Sequence, residues 1–434
     1  MVDWKPISEL FEFSKGTLQS SKCTPGKFHF ITAAEDWKTH DAYTHDCEAL
    51  IFAMAASGSL GRTHYVKGKF TSTDLCFILT PKSGLNLDLI FYHRLFNFLR
   101  IDIVKKLATG TSKLAINQTN FGAYKLPYFD YSHQVQFRGK IEKILALNNK
   151  FLAEIDMQLE FLPKLRQQIL QNAIEGKLTA DWRKKNPALI TGENHASKLL
   201  EKIKSEKSRL IQQGKLKKEK FLPPITEAEK PFPLPEGWVW CRLGELGLFG
   251  RGKSKHRPRN DSKLFKNGCY PFIQTGDVSQ SKKTEFKISG YDKQYNDFGL
   301  AQSKLWPKGT LCITIAANIA ETGFLDIDAC FPDSVVGFTS LSEDSTPWLV
   351  KYYLESMQTE IIKFAPATAQ KNINLDIIGA LLFPLPPLPE HRRIVDCVNK
   401  AMAVIRELEN QVSERKTKSE MLMQSVLQEA FESK

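Results

Sequence analysis

The sequence lacks the usual signs of metal binding, export and membrane insertion. Its eight cysteines, Cys23, Cys47, Cys76, Cys241, Cys269, Cys312, Cys330 and Cys397, form no CxxC pair and have no histidine at zinc spacing. No metal site is implied, and they read as reduced thiols of a cytoplasmic protein. No apolar run approaches the roughly 20 residues needed to span a bilayer; the longest, 49–56, stops far short. The opening residues, MVDWKPISEL, hold no apolar core of signal-peptide length. The nine histidines are scattered without a paired acid or nucleophile, which leaves no catalytic triad to name. A soluble intracellular chain with no membrane partner is expected. At 434 residues, 42% hydrophobic and 25% charged, it has room for two or three ordinary globular domains.

Acidic residues are in deficit: 60 Lys and Arg against 48 Asp and Glu give a net charge of +12. Residues 177–230 hold fourteen basic and seven acidic side chains, which is +7 of that excess. Such a surplus suits a polyanion through counterion release, although a solvated linker gives the same total. Tighter clusters say more. Arg62, His64, Tyr65, Lys67 and Lys69 follow the glycine of SGSLGR, and Arg251, Lys253, Lys255, His256, Arg257 and Arg259 crowd a Gly- and Pro-containing stretch. Basic loops with an interleaved aromatic suit phosphate positioning and groove contacts; exposed solubilising loops are the plainer alternative. Residues 247–254, GLFGRGKS, also satisfy the phosphate-loop pattern G-x-x-x-x-G-K-S. A working phosphate loop needs a helix beginning at the Lys-Ser. Pro258 stands four residues after Ser254, so a nucleotide site is not expected there.

The chain contains itself twice. Subtracting 257 from positions in its last third lands on like residues: Leu422 on Leu165, Gln428 on Gln171, Asn374 on Asn117, Gly379 on Gly122 and Pro384 on Pro127. With small insertions the echo reaches the starts of both halves, where Trp4 and Gly16 match Trp240 and Gly252. Each half reads as short strands (28–34, 49–56, 74–79; then 270–274, 310–317, 334–340) with one helix (89–99; then 348–357), followed by a long helix. The steps Phe137, Ile141, Ile144, Phe151, Ile155 and Ile394, Val398, Ile405, Leu408, Val412 trace an a/d seam. The two helices should therefore pack on each other, with Asn148 on the seam and Pro163 kinking or splitting the first helix. A two-copy chain offers the two-fold surface that duplex DNA asks for, and the helix pair would serve as a ruler between two reading domains.

Five stretches narrow the reading: LRQQILQNAIEGKLTADWR (165–183), PFPLPEGWVWCRLGEL (231–246), YPFIQTGDV (270–278), NINLDIIGALLFPLPPLPEHRRIV (372–395) and GRTHYVKGKFTSTDLCFILTPK (61–82). Through them the chain resembles, over essentially its whole length, the specificity subunits of Type I restriction-modification enzymes. The first half departs from the pattern, its LPEGW entry being reduced to VDWKPISEL. The resemblance implies an α/β (mixed) fold: two similar target-recognition domains separated by two long helices packed as an antiparallel coiled coil, a pseudo-two-fold internal repeat. The segments would be domain 1 (1–131), the central helix (132–176), a basic linker with a short charged helix (177–231), domain 2 (232–388) and the C-terminal helix (389–434).

The implied role is a non-catalytic subunit that recognises a bipartite, asymmetric site in double-stranded DNA, one half per domain. It would dock two methyltransferase subunits for N6-adenine methylation and two restriction subunits for cleavage. No cofactor is implied for this chain; S-adenosylmethionine, ATP and Mg would belong to the partner subunits. A methylation-only complex would use the same chain. The loops 108–113 and 366–371 resemble the family's backbone-approaching loop, so Thr111, Ser112, Lys113, Thr368, Gln370 and Lys371 are candidate phosphate contacts. Arg62, His64 and Tyr65, with Lys67 beside them, and Arg251, Lys253, Arg257, Gln274, Lys282 and Lys283, with Lys255, are candidate base readers and groove contacts. The sequence holds no NPPY or DPPY tetrapeptide and no HNH arrangement, and Asp277 with Glu285 and Lys287 matches a nuclease spacing only by chance. A phosphate-loop enzyme and a purely structural coiled-coil adaptor are the competing classes; ATP hydrolysis by the chain alone would favour the first, and an assembled complex without DNA affinity the second.

Overall fold

The structure is a computed structural model and describes residues 3–55, 58–110, 114–216, 222–316, 318–341, 345–363 and 373–432. It divides into two compact units, residues 1–158 with 411–434, and residues 159–410. Each unit holds a piece of both long helices, Tyr131–Ile174 and Leu388–Glu432.

In the first unit, strands β1 (Asp3–Pro6), β2 (Phe11–Lys15), β3 (Phe28–Ile31), β4 (Lys38–His40), β5 (His45–Ala53), β6 (Thr63–Ser72), β7 (Cys76–Pro81) and β8 (Lys125–Tyr128) make two sheets. One is a ribbon of β1 with β8; the other is six-stranded, in the order β2-β7-β5-β6-β3-β4. Its centre is the run ALIFA, fully buried from Ala49 to Ala53, because both faces are covered and a continuous apolar strand satisfies both. One face packs Leu50, Phe52, Phe77 and Leu79 against Phe91, Leu95 and Phe96 of the helix Leu89–Leu107. The other gathers Ile31, Ala49, Ile51, Val66, Phe70 and Ile78. Asp88 starts that helix by accepting the Ile90 and Phe91 N–H groups at 3.0 Å each, the usual work of an acidic cap.

The second unit holds β9 (Val239–Arg242), β10 (Gly247–Arg251), β11 (Tyr270–Phe272), β12 (Lys287–Ile288), β13 (Lys293–Tyr295), β14 (Leu305–Trp306), β15 (Leu311–Thr314), β16 (Thr322–Leu325), β17 (Ala329–Cys330), β18 (Val335–Ser340) and β19 (Leu382–Leu385). They form a ribbon of β9 with β19, a five-stranded sheet β10-β18-β15-β16-β12 and a four-stranded sheet β13-β11-β17-β14. Where the ten-residue β6 carries β3, the four-residue β16 carries only the short β12. The remaining strands close into a sheet of their own.

The residues matched by the repeat do the same work in both units. Trp4 faces Pro127 across the first ribbon and Trp240 faces Pro384 across the second. Asn117 and Asn374 each cap the next helix, accepting the Asn120 N–H at 2.8 Å and the Ile377 N–H at 2.9 Å. Gln134 donates to the Phe129 carbonyl at 2.6 Å, and His391, 257 residues on, donates to the Pro386 carbonyl at 2.9 Å. Gly16 and Gly252 mark close backbone crossings: a Cβ would fall 2.0 Å from the Thr73 oxygen and 2.3 Å from the Pro332 oxygen.

Within each unit the pieces of the two long helices run antiparallel. In the first, Asn148 accepts from Ser419 at 2.6 Å and Asp156 pairs with Lys416 at 3.1 Å. In the second, Arg166 pairs with Glu409 at 3.2 Å and Thr179 donates to Glu390. Ile141, Ile155, Ile394, Val398, Ile405 and Val412 are buried, Ile144 and Leu408 are half-buried, and Phe137 packs on Phe129 and Phe91 of the first core. Phe151, expected on the seam, is 40% exposed. The half-buried residues between Ile141 and Ile155 include Leu145, Asn148 and Leu152, so the alternating steps of four and three pass through Leu152, one position beyond Phe151. Pro163 does not split the helix, which runs unbroken through it. The ring removes one N–H bond, while buried Leu162 and the contacts of Arg166 with Glu409 and of Gln167 with the Ser356 carbonyl hold the flanking turns.

The stretch read as a basic linker is folded onto the second unit over much of its length. The helix Ala196–Gln212 buries Ala196, Leu199 and Ile203 in that unit's main core, and Lys204 pairs with Glu245 at 2.8 Å. Charge dominates its composition, but its apolar residues fall on one face. Three of the five diagnostic stretches then meet at one carboxylate. Glu390 is fully buried and accepts from Arg183, Thr179 and the Trp238 indole at 2.8 Å, while Arg183 also donates to the Gly176 carbonyl at 2.7 Å. Gly176 (φ 70°) sits so close that a Cβ would meet Pro235 at 2.8 Å and Trp238 at 3.0 Å. Among the described residues no helix is long and apolar enough to cross a membrane.

Candidate nucleic-acid interface

In both units the strand at the centre of the main sheet ends in a hairpin, and the same later segment returns beside it. After β5, the Ile116 N–H donates to the Met54 carbonyl at 2.8 Å, and Ala115 bridges to Ala55 and Thr109. After β15, the Ile373 N–H donates to the Ile315 carbonyl at 3.0 Å. The two expected phosphate-contact loops therefore leave from matching places beside hairpins 54–62 and 315–321. Their named members, Thr111, Ser112, Lys113, Thr368, Gln370 and Lys371, lie outside the described residues.

Each hairpin carries a basic side chain anchored to it. Gly58 and Gly61 take φ of 75° and 77°, the left-handed turns that glycine allows without strain. Arg62 spans the base, donating to the Ala33 carbonyl at 3.1 Å and the Ser59 hydroxyl at 3.2 Å, with Glu35 at 3.6 Å. Arg100, not singled out in the sequence, donates to the Leu60 and Gly58 carbonyls at 2.8 Å each. Burial and the neighbouring Arg62 charge pull Arg100 downward, so two guanidiniums concentrate positive charge on one turn. The sequence signal for Arg100 is a lone cation inside the apolar pattern LFNFLRIDIV. In the second unit Lys282 pairs with Glu321 at 2.6 Å, and the Asn318 amide donates to Ser279 at 3.1 Å on the same carboxylate's far side.

The sequence clusters are divided rather than joined. His64 sits with Arg62 on one face of β6, donating to the Ala34 carbonyl at 2.9 Å and accepting the Trp37 indole N–H at 3.2 Å; burial lowers its pKa. Tyr65 and Lys67 point to the opposite face, where both meet Glu48, at 2.6 Å and 3.6 Å. Burial, then the Glu48 hydrogen bond, pushes Tyr65 up to about 12. In the second unit Arg251 ends β10, an edge strand of the five-stranded sheet, while Lys282 lies in the turn Ser281–Thr284 against Glu321, just before β16. Arg251 donates to the Asp333 carbonyl, and Arg257 folds back on the Ser254 and His256 carbonyls. Lys253 and Lys255 are exposed, as is Lys283. Gln274 is the N-cap residue of the helix Thr275–Gln280, its backbone N–H donating to Asp277 at 2.7 Å.

No phosphate loop forms at 247–254. Residues Gly247–Arg251 are strand β10, the Gly252 and Lys253 N–H groups donate to Val335 and Phe331 carbonyls at 2.9 and 3.1 Å, and Ser254 is buried with no helix beginning there. The amides that would cradle phosphate are already used. Among the described residues no group of three or more His, Cys, Asp or Glu could hold a metal ion.

Comparison with known proteins gives this geometry its family. The family model for the Type I restriction modification DNA specificity domain matches residues 1–160 and 235–415. The chain is 24% identical over 441 residues to the Type I restriction enzyme EcoDI specificity subunit of Escherichia coli, covering 99% of this chain and 88% of that protein. It is 49% identical over 259 residues to the EcoAI specificity subunit, and 24% over 259 residues to that of EcoEI, both of Escherichia coli. Those two alignments span only 40% and 41% of the relatives' lengths. The fold is shared with the HsdS subunit of Thermoanaerobacter tengcongensis (TM-score 0.54, 16% identity, 99% of this chain and 96% of that one). It is shared too with a chain solved in work on complex assembly and conformational transition of the type I R-M system (TM-score 0.59, 17% identity, 99% and 97%). Matched by the model in both halves, the chain belongs to the family of Type I restriction-modification DNA specificity subunits, which recognise rather than catalyse.

Proposed function

We propose that the chain reads a bipartite, asymmetric site in double-stranded DNA, each unit contacting one half through its hairpin and the loop beside it. The observation that carries this reading is the recurrence of one arrangement, central strand, anchored basic hairpin and returning loop, with different side chains in the two units. Arg62, Arg100 and Lys282 are placed to meet phosphate or a guanine edge, and Glu35 and Glu321 are carboxylates that a nucleic acid would displace. Two methyltransferase subunits held by this chain would methylate adenine at N6 after flipping it out of the duplex, gaining rate from positioning. Two restriction subunits would complete the cleaving form, and a methylation-only complex would omit them. S-adenosylmethionine, ATP and Mg then belong to those partners, in a cytoplasmic complex.

The test is methylome sequencing of cells carrying this gene with its neighbouring methyltransferase gene, comparing wild type with Arg62→Ala and Lys282→Ala. Each substitution should relax or abolish methylation through one half of a single bipartite motif and leave the other half unaltered. A motif unchanged by both would refute the assignment. Lys113→Ala and Lys371→Ala should instead weaken binding across all sequences, each lowering the salt slope by about one as one phosphate is left unneutralised.

A further inference from the structure

The second unit contains a cavity of about 310 Å³ that DNA reading leaves unused. That volume is at the lower end of small-molecule sites, about 300–1,000 Å³. Its walls include the rings of Phe286, Trp348 and Tyr352. Glu285 and Phe286 hold left-handed backbone, φ 53° and 64°, a conformation costly for bulky residues and concentrated at ligand sites. Two backbone hydrogen bonds fix the turn: the Phe286 N–H donates to Ser281 and its carbonyl accepts from Phe324, both at 2.7 Å.

The charges are unevenly satisfied. Lys351 is only 1% exposed, its ammonium 3.3 Å from the Phe286 ring centre and 2.8 Å from Glu355. Burial pulls Lys351 downward while Glu355 opposes that shift. Arg166 is held by Glu409. Arg406 and Lys287 line the same cavity and are exposed, with no ion pair among the described residues. Asn399, which also lines the cavity, accepts the Tyr352 hydroxyl at 2.6 Å on its amide oxygen. Glu285 adds one acceptor on the rim.

We propose that this cavity binds a nucleoside monophosphate whose base carries an exocyclic amino group. The base lies against Trp348 and Phe286, the phosphate meets Arg406 and Lys287, and Glu285 accepts from the amino group. Aromatic walls take a planar ring by stacking, about 1–3 kcal/mol per base in sequence-tolerant sites, and free cations take the phosphate. None of the side chains proposed to read DNA lines the cavity, although Lys282 stands three residues before Glu285 and its charge reaches Lys351.

The experiment titrates the full chain, assembled with its partners, with AMP, UMP, adenosine and ribose 5-phosphate while following tryptophan fluorescence. AMP should quench saturably, and Trp348→Phe should remove the signal. UMP, adenosine and ribose 5-phosphate should each bind about tenfold or more weakly, as should AMP to Arg406→Ala, since each forgoes a stacking or charge-assisted interaction. Arg62→Ala should bind AMP as wild type does. Folded complex that shows no saturation by AMP at millimolar concentration overturns the proposal. So does AMP binding untouched by Arg406→Ala, ribose 5-phosphate binding equal to AMP, or a partner segment found occupying the cavity. Circular dichroism of each variant separates these outcomes from misfolding.

Discussion

His391 shows how one buried side chain ties stability to pH. It is fully buried, and burial lowers its pKa to about 4 from an ordinary 6.5. The folded state therefore holds it neutral, and its contribution is complete above pH 6.5. As pH falls from 6.5 towards 4 the unfolded chain takes up the proton first, and stability drops by up to about 1.4 kcal/mol per pH unit. The repeat itself suggests the control, since Gln134 does the equivalent work in the first unit without titrating. His391→Gln should keep the Pro386 hydrogen bond and reduce the fall in urea midpoint between pH 7 and pH 5; an unchanged fall would locate the titration elsewhere. His93, also lowered to about 4 by burial, leaves a residual slope. None of this is readable from one sequence, because an isolated histidine in LPEHRR gives no sign of burial. Glu390 beside it is similar: the sequence marks the motif as diagnostic, but only packing reveals a carboxylate joining Thr179, Arg183 and Trp238. The candidate interface is partly readable for the same reason. Arg62 stands out from its place at the end of SGSLGR, whereas the alternation of β6 sends Tyr65 to the other face, and adjacency along a chain does not report faces unless the strand is known first.

Elements are the most readable level, and their errors have a common origin in period. The strands around 49–56 and 334–340 and the helix near 89–99 appear where continuous or helical apolar patterns announce them. The long helices do too, yet taking the alternation of three and four in the other phase after Ile141 puts the seam one residue early, at Phe151. Ile155→Ala should accordingly cost about 2–4 kcal/mol of unfolding free energy, as large-to-small changes in a buried seam do. Phe151→Ala should cost under about 1 kcal/mol. Equal losses in chemical denaturation would restore Phe151 to the seam. Pro163 weighs less than its ring suggests: one missing hydrogen bond is outweighed where both flanking turns are packed. The segment 177–231 weighs more, since net charge says nothing about the one face on which Leu199 and Ile203 fall.

For the whole molecule, the internal repeat carries most of what can be read, including the fold class. The offset of 257 pairs residues by task, Pro127 with Pro384 in their ribbons and Asn117 with Asn374 at their caps. A repeat does not reveal what differs, and the split of one six-stranded sheet into two smaller ones is invisible to it. If the helix pair sets the unread gap in a bipartite site, inserting seven residues into 142–158 and the matching seven into the second helix should lengthen that gap in the methylated motif. Methylation continuing at the original spacing would remove the helices from that role.

The ribbons have a consequence for inheritance. In the second unit Val239 stands opposite Leu385 and Arg242 opposite Leu382, so the chain enters and leaves the domain through a single two-stranded clasp. Everything between is an excursion with adjoining ends, which shares a core with Leu170, Ile394 and Val398 of the long helices. Recombination between related genes at the two flanking segments would therefore exchange one reading head for another as a cartridge, leaving the helices and the Glu390 junction intact. The first unit repeats the clasp between Asp3 and Tyr128. If each unit reads one half of a target, a lineage with two such sockets alters the halves one at a time.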